Sequence, residues 1–140
     1  MSDLQCPATF LVLADDPLGA DERQLEGVTE QLVAQLGGRR VAKVLASPSM
    51  PQLERAARIA ERLGVTSEPA PGLDEGALFR QAVEDAADVY RGEAVLLIAP
   101  VEVVRTALGL ATAPAPGELV ELQVDADGWL VRQGGNGEKP

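Results

Sequence analysis

The 140-residue chain contains no histidine. That absence removes the side chain that most often serves as general base and metal ligand near neutral pH, and with it every Ser-His, Cys-His and His-zinc mechanism. Cysteine is nearly absent too. Cys6 alone can close no intrachain disulfide and build no cysteine-based zinc site, so it reads as a partly buried thiol ahead of the first strand. Positive charge is scarce, with 12 Lys and Arg against 22 Asp and Glu and a net charge of −10. Nucleic acid and anionic lipid both select positive surfaces, and neither is expected as a partner. Long apolar runs are missing as well: AVLLIA, from Ala94 to Ala99, is the longest and falls far short of the ~20 residues needed to cross a bilayer. The opening MSDLQCP has neither the basic segment nor the apolar stretch of a signal peptide, so the expectation is a cytoplasmic protein with no membrane partner.

What is present fits one domain with one core. The expected domain covers residues 1–133, with GGNGEKP at 134–140 as a disordered tail. Phe10 to Leu13 form a continuous apolar run, as in a strand covered on both faces, and it ends on two adjacent carboxylates, Asp15 and Asp16. Asp21 to Leu36 reads as a helix, with Leu25, Val28, Leu32 and Leu36 at helical spacing and Gly37-Gly38 as its stop. VAKVLA, Val41 to Ala46, is a second strand. In the segment that follows, Ser49 and Gln52 have capping-box spacing, Pro51 falls in the first turn, and Leu53, Ala56, Ala57, Ala60 and Leu63 form a stripe ending at Gly64. TSEPAPG reads as a loop. A third helix spans roughly Glu75 to Tyr90, with Leu78, Phe79, Ala82, Val83 and Ala86 inward.

EAVLLIAP is the most hydrophobic strand and is expected mid-sheet, followed by a helix around Glu102 to Leu110. ATAPAPG interrupts the pattern. ELVELQV and WLVRQ then alternate on either side of DADG, as an antiparallel hairpin does, and Trp129 is expected to pack it onto the body. The expected fold class is therefore three-layer α/β/α, with a mostly parallel sheet and an antiparallel C-terminal edge hairpin.

Two resemblances bear on function. LVLADDPLG followed by a helix resembles the acidic pair that holds magnesium in response-regulator receivers, which implies Asp15 or Asp16 as metal ligand or phosphoacceptor, with Glu75 completing a metal site. The aspartate and lysine that receivers carry on later strands have no counterpart, since the second strand ends in LASPS and the next in IAPVE.

From Thr9 to Gln133 the order of motifs resembles the histidine phosphatase superfamily, also called phosphoglycerate mutase-like. Ser47-Pro48 and then Ala56, Ile59, Ala60, Leu63 and Gly64 resemble its strand-ending Ser-Pro and following helix. Leu73 and Glu75 resemble its Leu-x-Glu, which implies for Glu75 the place of the acid that protonates the leaving group. AVLLIAPVEVVR resembles the strand and helix that read Ser-His-Gly and then Val-Ile-Arg, with Val103, Val104 and Arg105 kept. The first catalytic motif of active members, Arg-His-Gly, falls on Leu13-Ala14-Asp15, or on Ala14-Asp15-Asp16 if the strand shifts by one residue. The second Arg falls on Pro51 and the second His on Pro100.

A phosphoryl group in transfer needs positive charge or strong donors aimed at its oxygens. Here Ala14, Asp15, Asp16, Pro51, Glu75 and Pro100 would form the former active-site pocket, and Asp15, Asp16, Asp74, Glu75 and Glu102 would line an acidic mouth that repels phosphate. The resemblance thus implies a non-catalytic domain without a cofactor, serving a protein partner or a small cationic ligand in a binding, regulatory or scaffold role; homodimerisation is compatible with it. Simpler readings stand beside these. Asp15-Asp16 also reads as a post-strand loop, Glu75 as a first-turn acid favoured by the helix dipole, and Arg105 as a surface or salt-bridge residue. Ser47 has no base to activate it and is no nucleophile, and Ser49 reads as a cap.

Overall fold

In a computed structural model, residues 7–15, 30–36, 40–110, 119–125 and 128–133 are described. Strand β1, Ala8–Asp15, carries the first apolar run. Phe10, Val12, Leu13 and Ala14 are fully buried, as a strand covered on both faces requires. Helix α1 occupies residues 30–36 and buries Leu32 and Leu36; the earlier part of the expected helix lies outside the described residues. Strand β2, Val41–Ala46, leads to helix α2, Met50–Leu63. Strand β3, Ser67–Pro69, precedes helix α3, Gly76–Val89. Strand β4, Ala94–Pro100, runs directly into helix α4, Val101–Leu108, and strands β5, Leu119–Asp125, and β6, Gly128–Gln133, end the described chain.

The six strands form one sheet in the order β3-β2-β4-β1-β5-β6. β4 pairs parallel with both β1 and β2, and β2 pairs parallel with β3. β5 runs antiparallel to β1, and β6 antiparallel to β5. The sheet is thus mostly parallel with an antiparallel edge, as the motif order implies. Val95 to Ala99, the middle of β4, are all buried, which fits its inner place.

The helices divide between the two faces. Leu32 and Leu36 of α1 and Ala56, Ile59 and Ala60 of α2 pack with Leu11, Leu13, Val44, Leu96 and Ile98. Phe79, Val83 and Ala87 of α3 and Val104 of α4 pack with Phe10, Val12, Ala14, Leu97 and Ala99 on the other face. The period-2 alternation of β1 produces this division, sending odd positions to one layer and even positions to the other.

Several local expectations are corrected. TSEPAPG is not all loop: Ser67 to Pro69 extend as an edge strand, which tolerates proline because its outer side needs no ladder donor. Lys43 holds this edge, its Nζ donating to Thr66 Oγ1 at 2.8 Å and pairing with Glu68 at 2.6 Å. Ser49 is the N-cap of α2, but its hydroxyl bonds the Gln52 Oε1 side-chain oxygen and caps no backbone N–H. Leu78 is 50% exposed and Ala57 is exposed, while Ile59 is buried in the stripe. Glu75 is the N-cap of α3, one position before its first turn. Cys6, the segment 111–117 and the tail 134–140 lie outside the described residues.

Candidate functional site

In open α/β sheets a ligand crevice forms beyond the carboxyl ends of parallel strands, where successive connections leave to opposite faces. Here that place is the end of β4. Its helix α4 packs on one face, whereas the helices following its neighbours β2 and β1 pack on the other. The strand ends are tied together by backbone bonds: Ser47 N donates to Ile98 O at 2.9 Å and Ala70 N to Ala46 O at 2.8 Å.

Asp15 and Pro100 are register partners, the last residues of β1 and β4. The positions that stand for the first and second catalytic motifs therefore sit side by side. Pro100 is also the N-cap of α4. Ala14 is fully buried among residues packed under α3 and α4, so it belongs to the core and lines no open mouth. Asp16 lies outside the described residues. Pro51 is in the first turn of α2.

The other acidic residues do not gather round one point. Asp74 and Glu75 are both exposed ahead of α3, and Glu75 makes no side-chain cap bond. The start of α3 abuts α4 near its end: a Cβ on Gly76 would stand 3.6 Å from Thr106 Cγ2. Glu102, one turn earlier on α4, is held by Arg105 through Nη2 at 3.0 Å, so Arg105 acts as a surface ion-pair partner. Among the described residues no group of three or more Cys, Asp or Glu is placed to hold a metal ion.

What the sequence reading missed is a buried polar trio at the start of α2: Ser47, Gln52 and Arg55, with Arg55 only 6% exposed. Buried groups of this kind are uncommon away from functional or structural networks. Gln52, Arg55, Ala56, Ile59, Ala60 and Leu63 follow one helical stripe, so the stripe facing the sheet turns polar where it reaches the strand ends. Ser47 Oγ has no hydrogen-bond partner among the described residues. The helical spacing carried this signal in advance.

A cavity of about 390 Å³ lies at the opposite end of the parallel strands, bordered by Thr9, Arg40, Glu93, Glu121 and Gln123. None of the residues singled out above borders it.

Comparison with solved structures places this architecture. The chain superposes on YhfR of Bacillus stearothermophilus with a TM-score of 0.74 at 14% identity, covering 94% of this chain and 98% of that one. The fold is phosphoglycerate mutase-like. A phosphoglycerate mutase from Plasmodium falciparum matches with a TM-score of 0.65 at 17% identity, over 96% of this chain and 94% of that one. A mycobacterial glucosyl-3-phosphoglycerate phosphatase in complex with VO3 matches with a TM-score of 0.71 at 12% identity, over 90% and 97%. No family model and no curated protein matches the sequence. The order of strands, helices and closing hairpin along the chain is that of this architecture.

Proposed function

We propose that this chain is a non-catalytic member of the histidine phosphatase group, a binding, regulatory or scaffold domain that uses the strand-end recess for a protein partner or a small cationic ligand. The observation that carries the reading is the absence of histidine from all 140 residues of a chain with the phosphoglycerate mutase-like fold. Without imidazole no phosphohistidine can form. The register supports the reading further, because the paired positions beside the recess hold Asp15 and Pro100. A carboxylate there opposes the build-up of negative charge on a transferring phosphoryl group. It favours a cationic group instead.

One observation favours a competing reading, a metal-dependent enzyme or receiver-like phosphoacceptor: Asp15 ends a parallel strand at the crevice, where an aspartyl nucleophile or magnesium ligand would stand. Asp16 and Glu75 would complete that site. Turnover of a generic phosphomonoester by the purified protein, with and without magnesium or manganese and alongside Asp15→Asn, separates the two. The expected result is no turnover in any condition. Metal-dependent turnover lost in Asp15→Asn overturns the non-catalytic reading and makes the aspartate catalytic.

A further inference from the structure

β6 ends the sheet, and among the described residues nothing pairs with its outer edge. Proteins guard such edges with proline, lysine, bulges or short length, because a row of open N–H and C=O groups invites another strand. β6 has no proline, lysine or bulge, and its one charged side chain is Arg132. It is six residues long, Gly128–Gln133, and presents Leu130, 51% exposed, at its middle.

We infer that this edge is a self-association surface, on which β6 of a second copy of this chain pairs antiparallel across a two-fold axis at Leu130. The register follows from face and charge. A two-fold perpendicular to the sheet keeps each residue on its own face, so only same-face residues can oppose one another. Trp129 and Val131 lie on the face that packs with the α3 and α4 core, and Leu130 and Arg132 on the other. With Leu130 opposite its copy, Trp129 stands opposite the second copy's Val131. Because Val124 pairs with Trp129 and Leu122 with Val131 within each chain, this register runs one unbroken apolar row through four strands: Val124, Trp129, and then Val131 and Leu122 of the second copy. Its symmetric counterpart repeats it. Aromatic and β-branched cross-strand pairs of this sort are the favourable ones.

The other face supplies charge complementarity. Asp125 pairs with Gly128 and Glu121 with Arg132 in each chain. The same register therefore sets Arg132 of one copy beside Gly128 of the other, whose missing side chain leaves the guanidinium facing Asp125, a carboxylate that also accepts from Gly128 N at 3.1 Å. Each Arg132 then lies between two carboxylates, Glu121 of its own chain and Asp125 of the other. Shifting the axis to Val131 would set Leu130 against Arg132 and Trp129 against Gln133, losing both the apolar row and the charge match. The edge lies across β5 and β1 from the recess, so this inference stands apart from the functional reading above.

The full chain is tested by sedimentation velocity over a concentration series, with emission of its single tryptophan, Trp129, followed in parallel. The expected species is a dimer of twice the 14.7 kDa chain. Leu130→Lys, at an exposed position, is expected to raise the dimer dissociation constant at least about tenfold with an unchanged circular dichroism spectrum. Leu130→Cys in a Cys6→Ser background is expected to form an interchain disulfide on mild oxidation, since directly opposed strand residues are within bridging distance. Glu84→Cys in the same background is the control and stays monomeric on denaturing gels. A monomer at every soluble concentration overturns the inference. So does a dimer that Leu130→Lys leaves intact and that Leu130→Cys fails to cross-link.

Discussion

A buried hydroxyl left without a partner costs about 1–3 kcal/mol, and Ser47 Oγ is in that position among the described residues. Its backbone N–H, bonded to Ile98 O, holds the strand end whatever the side chain does. Ser47→Ala is therefore expected to leave stability unchanged or to raise it by up to about 1 kcal/mol in urea unfolding. A loss larger than that would show that the hydroxyl is satisfied in solution. Arg55 is the opposite case. Its side chain is buried in the packed stripe of α2, so Arg55→Ala is expected to cost about 1–3 kcal/mol from lost packing. Both residues were open to view as letters, yet only part of their meaning was. Ser47 falls in a recognisable Ser-Pro, whereas Arg55 is one of the polar residues of an amphipathic helix, which usually face water. Its spacing from Ala56 and Ile59 says otherwise.

Elements show the same division between pattern and packing. The hairpin of β5 and β6 alternates cleanly, with Val120, Leu122 and Val124 buried, and the sequence predicts it without difficulty. That Arg80 of α3 stacks on Trp129, 3.9 Å from the ring centroid, is a fact of two segments far apart in the chain. Trp129→Ala is expected to cost about 3–4 kcal/mol, through lost apolar burial as well as this contact. Arg80→Ala should cost less than about 1 kcal/mol, and comparison of the two denaturation midpoints checks the ranking. The C-terminal end of α2 was legible, unlike the capping of α2 and α3 at their starts. Gly64 caps α2 at φ +76, and a Cβ there would meet nothing within 4 Å. Gly64→Ala is expected to lose about 1 kcal/mol from backbone conformation alone, read as a lower melting temperature with unchanged fold. β3 was illegible for a physical reason: three residues containing a proline have no periodicity of their own, and they are a strand only because β2 and Lys43 hold them.

At the scale of the whole molecule, the net charge of −10 governs behaviour in solution. With a sequence isoelectric point near 4.4, solubility is expected to pass through a minimum close to that pH and recover above it, measured by turbidity. The proposed function carries its own expectation for the intact protein. Excess magnesium should leave the melting temperature unchanged, because a cation that does not bind the native state adds no stability. A rise that disappears in Asp15→Asn would favour the metal-dependent reading instead.

The sequence by itself determined the layer architecture, the parallel strands with their closing hairpin, and the exclusion of imidazole chemistry, since periodicity and composition are local or global properties that need no coordinates. Tertiary structure alone decided that Asp15 stands beside Pro100 and that Ala14 belongs to the core. These depend on sheet order and register, which bring together residues as far apart in the chain as Asp15 and Pro100 or Ala8 and Val124, through non-local pairings that no window of the sequence contains.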